Sequence, residues 1–539
     1  MGPIQGGRVS TGKCTPYPLT RVFCLKNSVV SEEMLAAKQR EPWGVSEAMC
    51  DSLLEVIEGH GAAGWMERDV SVVVQRVYCL RVQEPSSQHL LRHRVPETES
   101  LQPRYRLCLL VQDAYGLFSE VALHTLALED HLQQHIRKWE GSWCVLRGMK
   151  VLQRATRARA AGLFSLIDSL WPPMVPLRVP GKDQSSQDDR AKLPATSFCY
   201  LLSAQRGEDS VDELLHPAPG LYQPAVVHTL REILQRIPHG HRCSFTATVI
   251  YRRQQGSGPK QSEFRLFITD PSLQREEEKE EEGELNRTLG VCVSSSCVLH
   301  SAVLKALSTS PVCSLTFKDA VREHGFHHVQ KQEEEIEGLI RCVERSVIQL
   351  DTLTSLPASD GPATEDPPLL RPVKLDLLGP ATTANSLCML QGEVVGVAKD
   401  TAYSWPVCNL CGSDRLEALH GEQKKLFCSL CDTTVVSPTM KMQLEVFLSC
   451  TSFSQCTVKI KLQQDTIMSV LNSTPSGSEG YMVENVLGKE VGPLATYVRV
   501  VTRKPVLWVS LEEIGLSKGY SNEVLQEPGP ASRNERERI

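Results

Sequence analysis

Four cysteines, arranged as two pairs, constrain the fold of this chain more than any other feature of its sequence. Cys408 and Cys411 are separated by two residues, as are Cys428 and Cys431, and sixteen residues lie between the pairs. This spacing is typical of a zinc ribbon, in which each pair turns two sulfur atoms toward one ion. Because four thiolates leave no coordination position for water, the pattern predicts a structural zinc ion and not a catalytic one.

The remaining cysteines lack the spacing of metal ligands. The chain has 19 cysteines, an odd number, and its first residues contain no apolar segment typical of a secretory signal. Since disulfide frameworks belong mainly to small secreted domains, we expect reduced thiols in a soluble intracellular protein. Most of these cysteines lie in apolar runs, where a thiol packs as a small hydrophobic side chain.

The composition is that of a globular protein with several domains. The 539 residues exceed what one compact core holds, and the hydrophobic (41%) and charged (23%) fractions are average. No stretch of about 18 uncharged apolar residues is present, so the sequence predicts no membrane span. Because the net charge is −6, contact with nucleic acid would have to come from local basic patches.

Short strand-like runs dominate the sequence and group into three units of similar size. The first unit predicts a small closed barrel of five strands, at Val70–Val82, Tyr105–Asp113, Leu117–His124, Trp143–Gln153 and Gly162–Leu170. A hairpin turn is expected at Asp113–Gly116, with Gly116 at positive φ. Two further groups of runs follow, in which Glu333–Val343 has the pattern of a helix. The predicted fold is mainly β with helices: three tandem OB-like β-barrels, the last carrying the inserted four-cysteine zinc ribbon.

Polar segments predict the domain boundaries. The run Gly181–Arg190 separates the first two units, and the acidic, proline-rich run Leu356–Pro372 separates the last two. We therefore expect a flexible extension at 1–40, a first barrel at 41–180, a second barrel at 195–352, a linker at 353–372, a third barrel at 373–517 with the ribbon at 405–437, and a disordered tail at 518–539.

Two basic clusters are candidate contacts for nucleic-acid phosphates. They comprise Lys150, Arg154, Arg157 and Arg159 in the first unit, and Lys424 and Lys425 on the ribbon, with Lys441, Lys459 and Lys461 on nearby strands. A basic groove on a barrel can follow the backbone of a single strand. The alternative for each cluster is an ordinary solvated face.

The sequence holds no convincing catalytic motif. Gly7–Lys13 has the spacing of a phosphate-binding loop, but Cys14 stands where a Ser or Thr should bind Mg²⁺. Neither a nucleophile elbow nor a zinc-protease helix motif is present. The sequence therefore predicts a protein that is not an enzyme.

Several segments resemble a vertebrate family of DNA-repair scaffold proteins that act in homologous recombination. The resemblance covers about residues 45–515 and is closest in seven segments: Asp51–Val56, Val72–Tyr78, Leu110–Ala114, Phe164–Pro173, Cys243–Tyr251, Ser404–Cys408 and Leu487–Gly492. A five-stranded barrel with a four-cysteine ribbon after its first strand also resembles the zinc-containing OB-fold of the large subunit of replication protein A.

The family resemblance implies a nuclear, non-catalytic scaffold for DNA double-strand break repair. It further implies that the protein recruits or bridges a RecA-type recombinase and the Bloom syndrome helicase at damage sites. The acidic, serine-rich N-terminal half of the family has no counterpart here, so we expect a short isoform or a partial sequence without the partner sites of that half. The alternative hypothesis is a protein that binds single-stranded DNA directly, as replication protein A does.

Overall fold

The computed structural model describes fifteen segments, all within the unit Cys50–Ile539. They are residues 52–59, 69–82, 105–126, 132–171, 198–204, 206–214, 220–254, 263–275, 286–309, 313–329, 332–351, 373–418, 426–453, 456–471 and 483–516. These segments contain seven α-helices: α1 Leu53–Gly59, α2 Leu132–Trp139, α3 Ala161–Leu170, α4 Leu230–Arg236, α5 Pro271–Gln274, α6 Ser301–Thr309 and α7 Gln464–Leu471. The described part of the chain is mainly β, as predicted.

The first sheet has seven strands in the order β5-β6-β3-β2-β1-β4-β7. The strands are β1 Val70–Arg81, β2 Tyr105–Asp113, β3 Phe118–Leu126, β4 Trp143–Leu146, β5 Met149–Thr156, β6 Phe198–Ala204 and β7 Val211–Leu214. Only Arg147 and Gly148 separate β4 from β5, so the chain itself connects the end strand β5 to β4. No backbone pairing closes this sheet among the described residues, and a closed first barrel therefore stays a prediction.

The middle sheet closes into a five-stranded barrel. Its strands are β8 Arg242–Gln254, β9 Phe264–Thr269, β10 Leu289–Val293, β11 Cys313–Val329 and β12 Gln332–Cys342, with β13 Val347–Leu350 added at the side of β11. The order β12-β10-β9-β8-β11 is completed by pairing of β11 with β12. The third strand runs parallel to the fifth, and α6 connects the third strand to the fourth.

The C-terminal sheet closes in the same way. Its barrel strands are β15 Leu387–Val397, β20 Thr439–Ser449, β21 Thr457–Leu462, β22 Glu490–Thr502 and β23 Trp508–Glu513, with β14 Asp376–Leu377 and β16 Tyr403–Val407 at the sides. Pairing of β15 with β20 completes the ring, and β21 runs parallel to β23. Both closed barrels thus have the connectivity of an OB-fold.

Bulges in the first strand allow each barrel to close. The first strand of each barrel pairs with one neighbour along its first half and with another along its second half, so it must bend between them, and an extra residue allows that bend. The register of β8 shifts between Val249 and Tyr251, and that of β15 shifts between Leu390 and Gly392. Gly392 is required there, because a Cβ atom would lie 2.4 Å from the carbonyl oxygen of Ser449.

Four of the expected elements differ from the structure. Trp143–Gln153, predicted as one strand, is divided into β4 and β5, because the chain bends at Arg147 and Gly148, where Gly148 has positive φ. Gly162–Leu170, predicted as a strand, is helix α3, since its buried residues recur at helical spacing. Glu333–Val343, predicted as a helix, is strand β12, because β10 and β11 pair with it on both sides. Strand β6 was assigned to the second unit at 195–352, but it pairs with β3 and β5 and so belongs to the first sheet, together with β7.

Buried ion pairs connect the first sheet to the middle barrel. The guanidinium of Arg345 donates to both carboxylate oxygens of Glu120 at 2.8 and 3.2 Å, and the hydroxyl of Tyr78 donates to the same carboxylate at 2.6 Å. Arg76 in β1 lies 2.9 Å from Asp319 in β11. All five residues are less than a tenth exposed, so each charge depends on its partner across the interface.

The middle and C-terminal barrels share an apolar cluster. Phe267 and Tyr497 meet edge to face with ring centroids 5.8 Å apart, among Ile250, Leu375, Leu387 and Ile514. Arg253 lies over the ring of Tyr497 at 3.8 Å and pairs with Glu512 at 3.0 Å. Both contacts help to fix the position of one barrel against the other.

Replacing Arg345 with Met should destabilise the protein by about 3–5 kcal/mol, because it leaves the Glu120 carboxylate buried without its cation. Urea unfolding of the purified chain measures this change. The matched control is Arg236→Met, which removes an exposed pair with Glu232 and should cost less than about 0.5 kcal/mol. Equal effects of the two substitutions would contradict the role of the buried pair.

Asp113 generates a pH-dependent prediction. Its carboxylate accepts hydrogen bonds from the backbone N–H groups of Leu53, Tyr115 and Leu117, yet desolvation raises its pKa from 3.8 to about 6. The folded state therefore favours the protonated acid, and stability from this group is lost as the pH rises from about 4 to about 6, by roughly 3 kcal/mol.

The comparison that isolates this effect is with Asp113→Asn, which cannot ionise. Between pH 4 and pH 7, the free energy of unfolding of the parent should fall relative to that of the variant by about 3 kcal/mol. Urea unfolding at the two pH values measures the change, and a difference that does not vary with pH would refute it.

Candidate metal centre and basic surfaces

The four-cysteine segment leaves the C-terminal barrel from paired strands. Val407 at the end of β16 pairs with Thr439 at the start of β20, so the inserted segment begins and ends side by side. Between them lies a separate three-stranded sheet of β17 Leu416–Ala418, β18 Leu426–Cys428 and β19 Thr433–Val435. The expected insertion after the first barrel strand is therefore present.

The four thiols converge on one point. Their sulfur atoms all lie within 4.8 Å of one another, with 3.6 Å between Cys408 and Cys431 and 3.5 Å between Cys411 and Cys428. A tetrahedral ion with metal–sulfur bonds of about 2.3 Å needs sulfur atoms about 3.8 Å apart. The residues therefore fit a four-coordinate ion, and the cluster can hold a metal.

Two tight turns aim the sulfur atoms inward. Gly412 and Asp432 each follow the second cysteine of a pair, and both have positive φ, at 70° and 53°. Gly adopts this conformation without strain, and Asp is among the few other residues that tolerate it. In the first turn, the N–H of Gly412 donates to the carbonyl of Cys408 at 2.8 Å.

Backbone N–H groups favour the thiolate form at the first cysteine of each pair. The N–H groups of Cys411 and Leu410 lower the pKa of Cys408, and those of Cys431 and Leu430 lower the pKa of Cys428. Metal binding requires deprotonated sulfur. Desolvation and hydrogen bonds with neighbouring thiols instead raise the pKa of Cys411 and of Cys431, so binding of an ion would displace protons from the second cysteine of each pair.

The cluster also forms a small core. Cys408 and Cys428 are buried with Val435, and Leu416, Leu426 and Cys431 pack around them. Three strands of three residues cannot bury enough apolar surface to be stable alone. A metal ion bound by the four thiols would supply the missing stability.

The predicted basic cluster of the first unit lies on β5 and the turn after it. Lys150, Arg154 and Arg159 are exposed. Arg157 pairs with Asp168 at 2.6 Å and lies 4.8 Å from the ring centre of Phe164, while the guanidinium of Arg154 covers the ring of Phe198 at 3.7 Å. Arg157 is thus largely neutralised. Lys424 and Lys425, and the loop Gly7–Lys13, lie outside the described residues.

An open groove of about 550 Å³ lies on the C-terminal barrel, beside two lysines of the second predicted basic cluster, but its aromatic lining was not predicted. Tyr403 and Trp405 of β16 line it together with Lys441 of β20 and Lys461 of β21. The two aromatic residues are two positions apart and so point to the same side of a strand. That alternation was visible in the sequence, but the pairing of β16 with β20 was not.

The strand connectivity and the inserted cysteine cluster define a protein built from OB-like barrels with a potential metal site. The chain belongs to the family described as "Domain of unknown function (DUF4503)", whose model matches residues 112–517.

Two named relatives are similar over most of the chain. The human "DNA repair-scaffolding protein" is 43% identical over 485 residues, which is 89% of this chain and 50% of the relative. The mouse protein of the same name is 39% identical over 475 residues, covering 88% of this chain and 48% of the relative. The chain therefore spans about half the length of these relatives.

Two solved structures give weaker matches. A replication protein A heterotrimer bound to single-stranded DNA matches 83% of this chain and 92% of its own, with 8% identity and a TM-score of 0.25. Yeast replication protein A bound to single-stranded DNA matches 28% of this chain and 83% of its own, with 13% identity and a TM-score of 0.18. TM-scores this low do not establish a shared fold.

Across the described segments, no helix is both long enough and apolar enough to cross a bilayer. The longest of the seven helices, α3, has 10 residues, well short of the roughly 20 that a span requires.

Purified chain should contain about one metal ion per molecule, which we expect to be zinc. Cys408→Ser should reduce the metal content to near zero and expose the amides of β17–β19 to hydrogen exchange. Elemental mass spectrometry and hydrogen exchange measure these effects. Cys313→Ser, at a half-buried cysteine of β11, is the matched control and should keep its metal; full occupancy in Cys408→Ser would rule out the site.

Proposed function

We propose that this chain is a non-catalytic scaffold in the nuclear repair of DNA double-strand breaks by homologous recombination. In this role it recruits or bridges a RecA-type recombinase and the Bloom syndrome helicase at damage sites. The observation that carries the proposal is the 43% identity, over 89% of this chain, to a relative named DNA repair-scaffolding protein. Action on broken chromosomal DNA places the protein in the nucleus.

The proposed architecture is three OB-like barrels, with a zinc ribbon in the last. Its support in the first sheet is a shared connectivity: β3 runs parallel to β6, as the third strand runs parallel to the fifth in the closed barrels. Helix α2 also follows the third strand, as α6 and α7 do. Zinc is the proposed ion because four thiolates in a tetrahedral set select it, and its role is structural.

The contacts between the barrels support a scaffold role. A scaffold has to present binding surfaces at fixed separations, and flexibly tethered domains do so poorly. Here Arg345–Glu120 and Arg76–Asp319 connect the first sheet to the middle barrel. The Phe267–Tyr497 cluster connects the middle barrel to the C-terminal one.

The buried cysteines also favour a non-catalytic role. Burial raises the pKa of Cys144, Cys243 and Cys297 to about 12. Such thiols are protonated at neutral pH and are poor nucleophiles. Their place is in the apolar cores of the sheets, where they act as packing groups.

The proposal is tested with purified components. Immobilised recombinase should capture the Bloom syndrome helicase only when this chain is added, and nuclease treatment should not abolish the capture, since protein contacts make the bridge. The tag alone, at equal concentration, is the control. Failure of folded, metal-loaded chain to bind either partner would refute the proposal for this part of the protein.

A further inference from the structure

We propose that the groove lined by Tyr403, Trp405, Lys441 and Lys461, here called the aromatic groove, binds single-stranded DNA. The ligand is recognised through stacking of unpaired bases on the two rings and through contacts of its phosphates with the two lysines. This inference goes beyond the scaffold function and does not rest on partner recruitment.

The two rings form a stacking platform at the edge of the sheet. Strand β16 pairs with β20 alone among the described strands, so its other side is an open edge. The ring centroids of Tyr403 and Trp405 lie 5.0 Å apart with an angle of 33° between the planes. Tyr403 is 50% exposed although it is a large aromatic residue. Exposed rings of this kind are where bases of a single strand stack.

The sheet register places a lysine beside the rings. Lys441 lies directly opposite Trp405 in the β16–β20 pair. On the next strand, Lys461 lies opposite Glu445 of β20 and opposite Glu512 of β23. Within the described part of the chain, neither Lys441 nor Lys461 lies within ion-pair distance of a carboxylate. By contrast, Lys459 on the same strand pairs with Glu445 at 2.6 Å.

Three carboxylates also line the groove, and one of them is paired with a cation. Glu512 pairs with Arg253 at 3.0 Å. Glu513 is buried, accepts hydrogen bonds from the backbone N–H of Gln463 and the hydroxyl of Thr466, and has a pKa raised by desolvation. Asp465 is the remaining exposed acid. Lys441 and Lys461 therefore match the charges of Glu513 and Asp465, and phosphate contacts here depend on the position of the two lysines beside the rings and not on an excess of positive charge.

These features favour a single-stranded nucleic acid over a duplex. Stacking needs the face of a base, and a duplex presents only base edges in its grooves. Two lysines neutralise few phosphates, so the affinity should be modest, with a Kd of about 10⁻⁶–10⁻⁴ M, and should weaken with salt. We commit to DNA as the ligand because the named relatives are DNA-repair proteins.

The test is fluorescence anisotropy of labelled oligo(dT) with the purified full chain at low salt. Trp405→Ala should weaken binding about 5- to 100-fold, since one base loses its stacking partner. Trp405→Phe, which keeps a ring, should recover most of the affinity. Lys461→Ala should lower the slope of log Kd against log salt by about 0.7, the value for one phosphate of a single strand.

The matched control is Lys459→Ala, which removes a lysine already neutralised by Glu445 and should leave both affinity and slope nearly unchanged. Thermal unfolding of each variant confirms that it is folded. Absence of binding at low salt, equal binding of blunt duplex, preference for oligo(rU), or full affinity in Trp405→Ala would each overturn the proposal. The bridging assay with nuclease contains no DNA ligand, so the two proposals can fail separately.

Discussion

The charges buried between the first sheet and the middle barrel are the contacts on which the arrangement of the described chain most depends. Glu120 is contacted by Arg345 and Tyr78, and all three are almost fully excluded from water. Removal of one partner leaves an uncompensated charge in a medium that cannot solvate it. Because Glu120 belongs to the first sheet and Arg345 to the middle barrel, their ion pair holds the two domains together.

The C-terminal barrel is held against the middle barrel mainly by apolar packing and not by buried ion pairs. It packs on the middle barrel through rings and aliphatic side chains, with Arg253 adding a cation–π contact and an ion pair. Its inserted cysteine segment has too small a core to fold unaided, and the four convergent thiols supply a place for the ion that would brace it. The proposed scaffold role requires surfaces held at fixed separations and an insertion braced by a bound ion.

Short sequence patterns predicted the turn and the cysteine cluster. Strand pairing and contacts between residues distant in the sequence determined the features that were not predicted. The cysteine spacing predicted the four residues whose thiols converge in the structure, and the Asp113–Gly116 turn has Gly116 at positive φ as expected. The prediction of a strand at Gly162–Leu170 was wrong, because a run of apolar residues fits a buried helix as well as a strand. The role of Glu120 and Arg345 could not be predicted, since they are 225 residues apart, and the aromatic groove depends on a strand pair that no local pattern reveals.

Hydrogen exchange across a urea series tests most directly whether the buried ion pairs make one cooperative unit. If they do, the amides of β3 in the first sheet and of β11 in the middle barrel should open with the same free energy and the same dependence on urea. If β3 exchanges through an opening of lower free energy while β11 stays protected, the first sheet is an independent domain, and the account of a rigid scaffold is wrong.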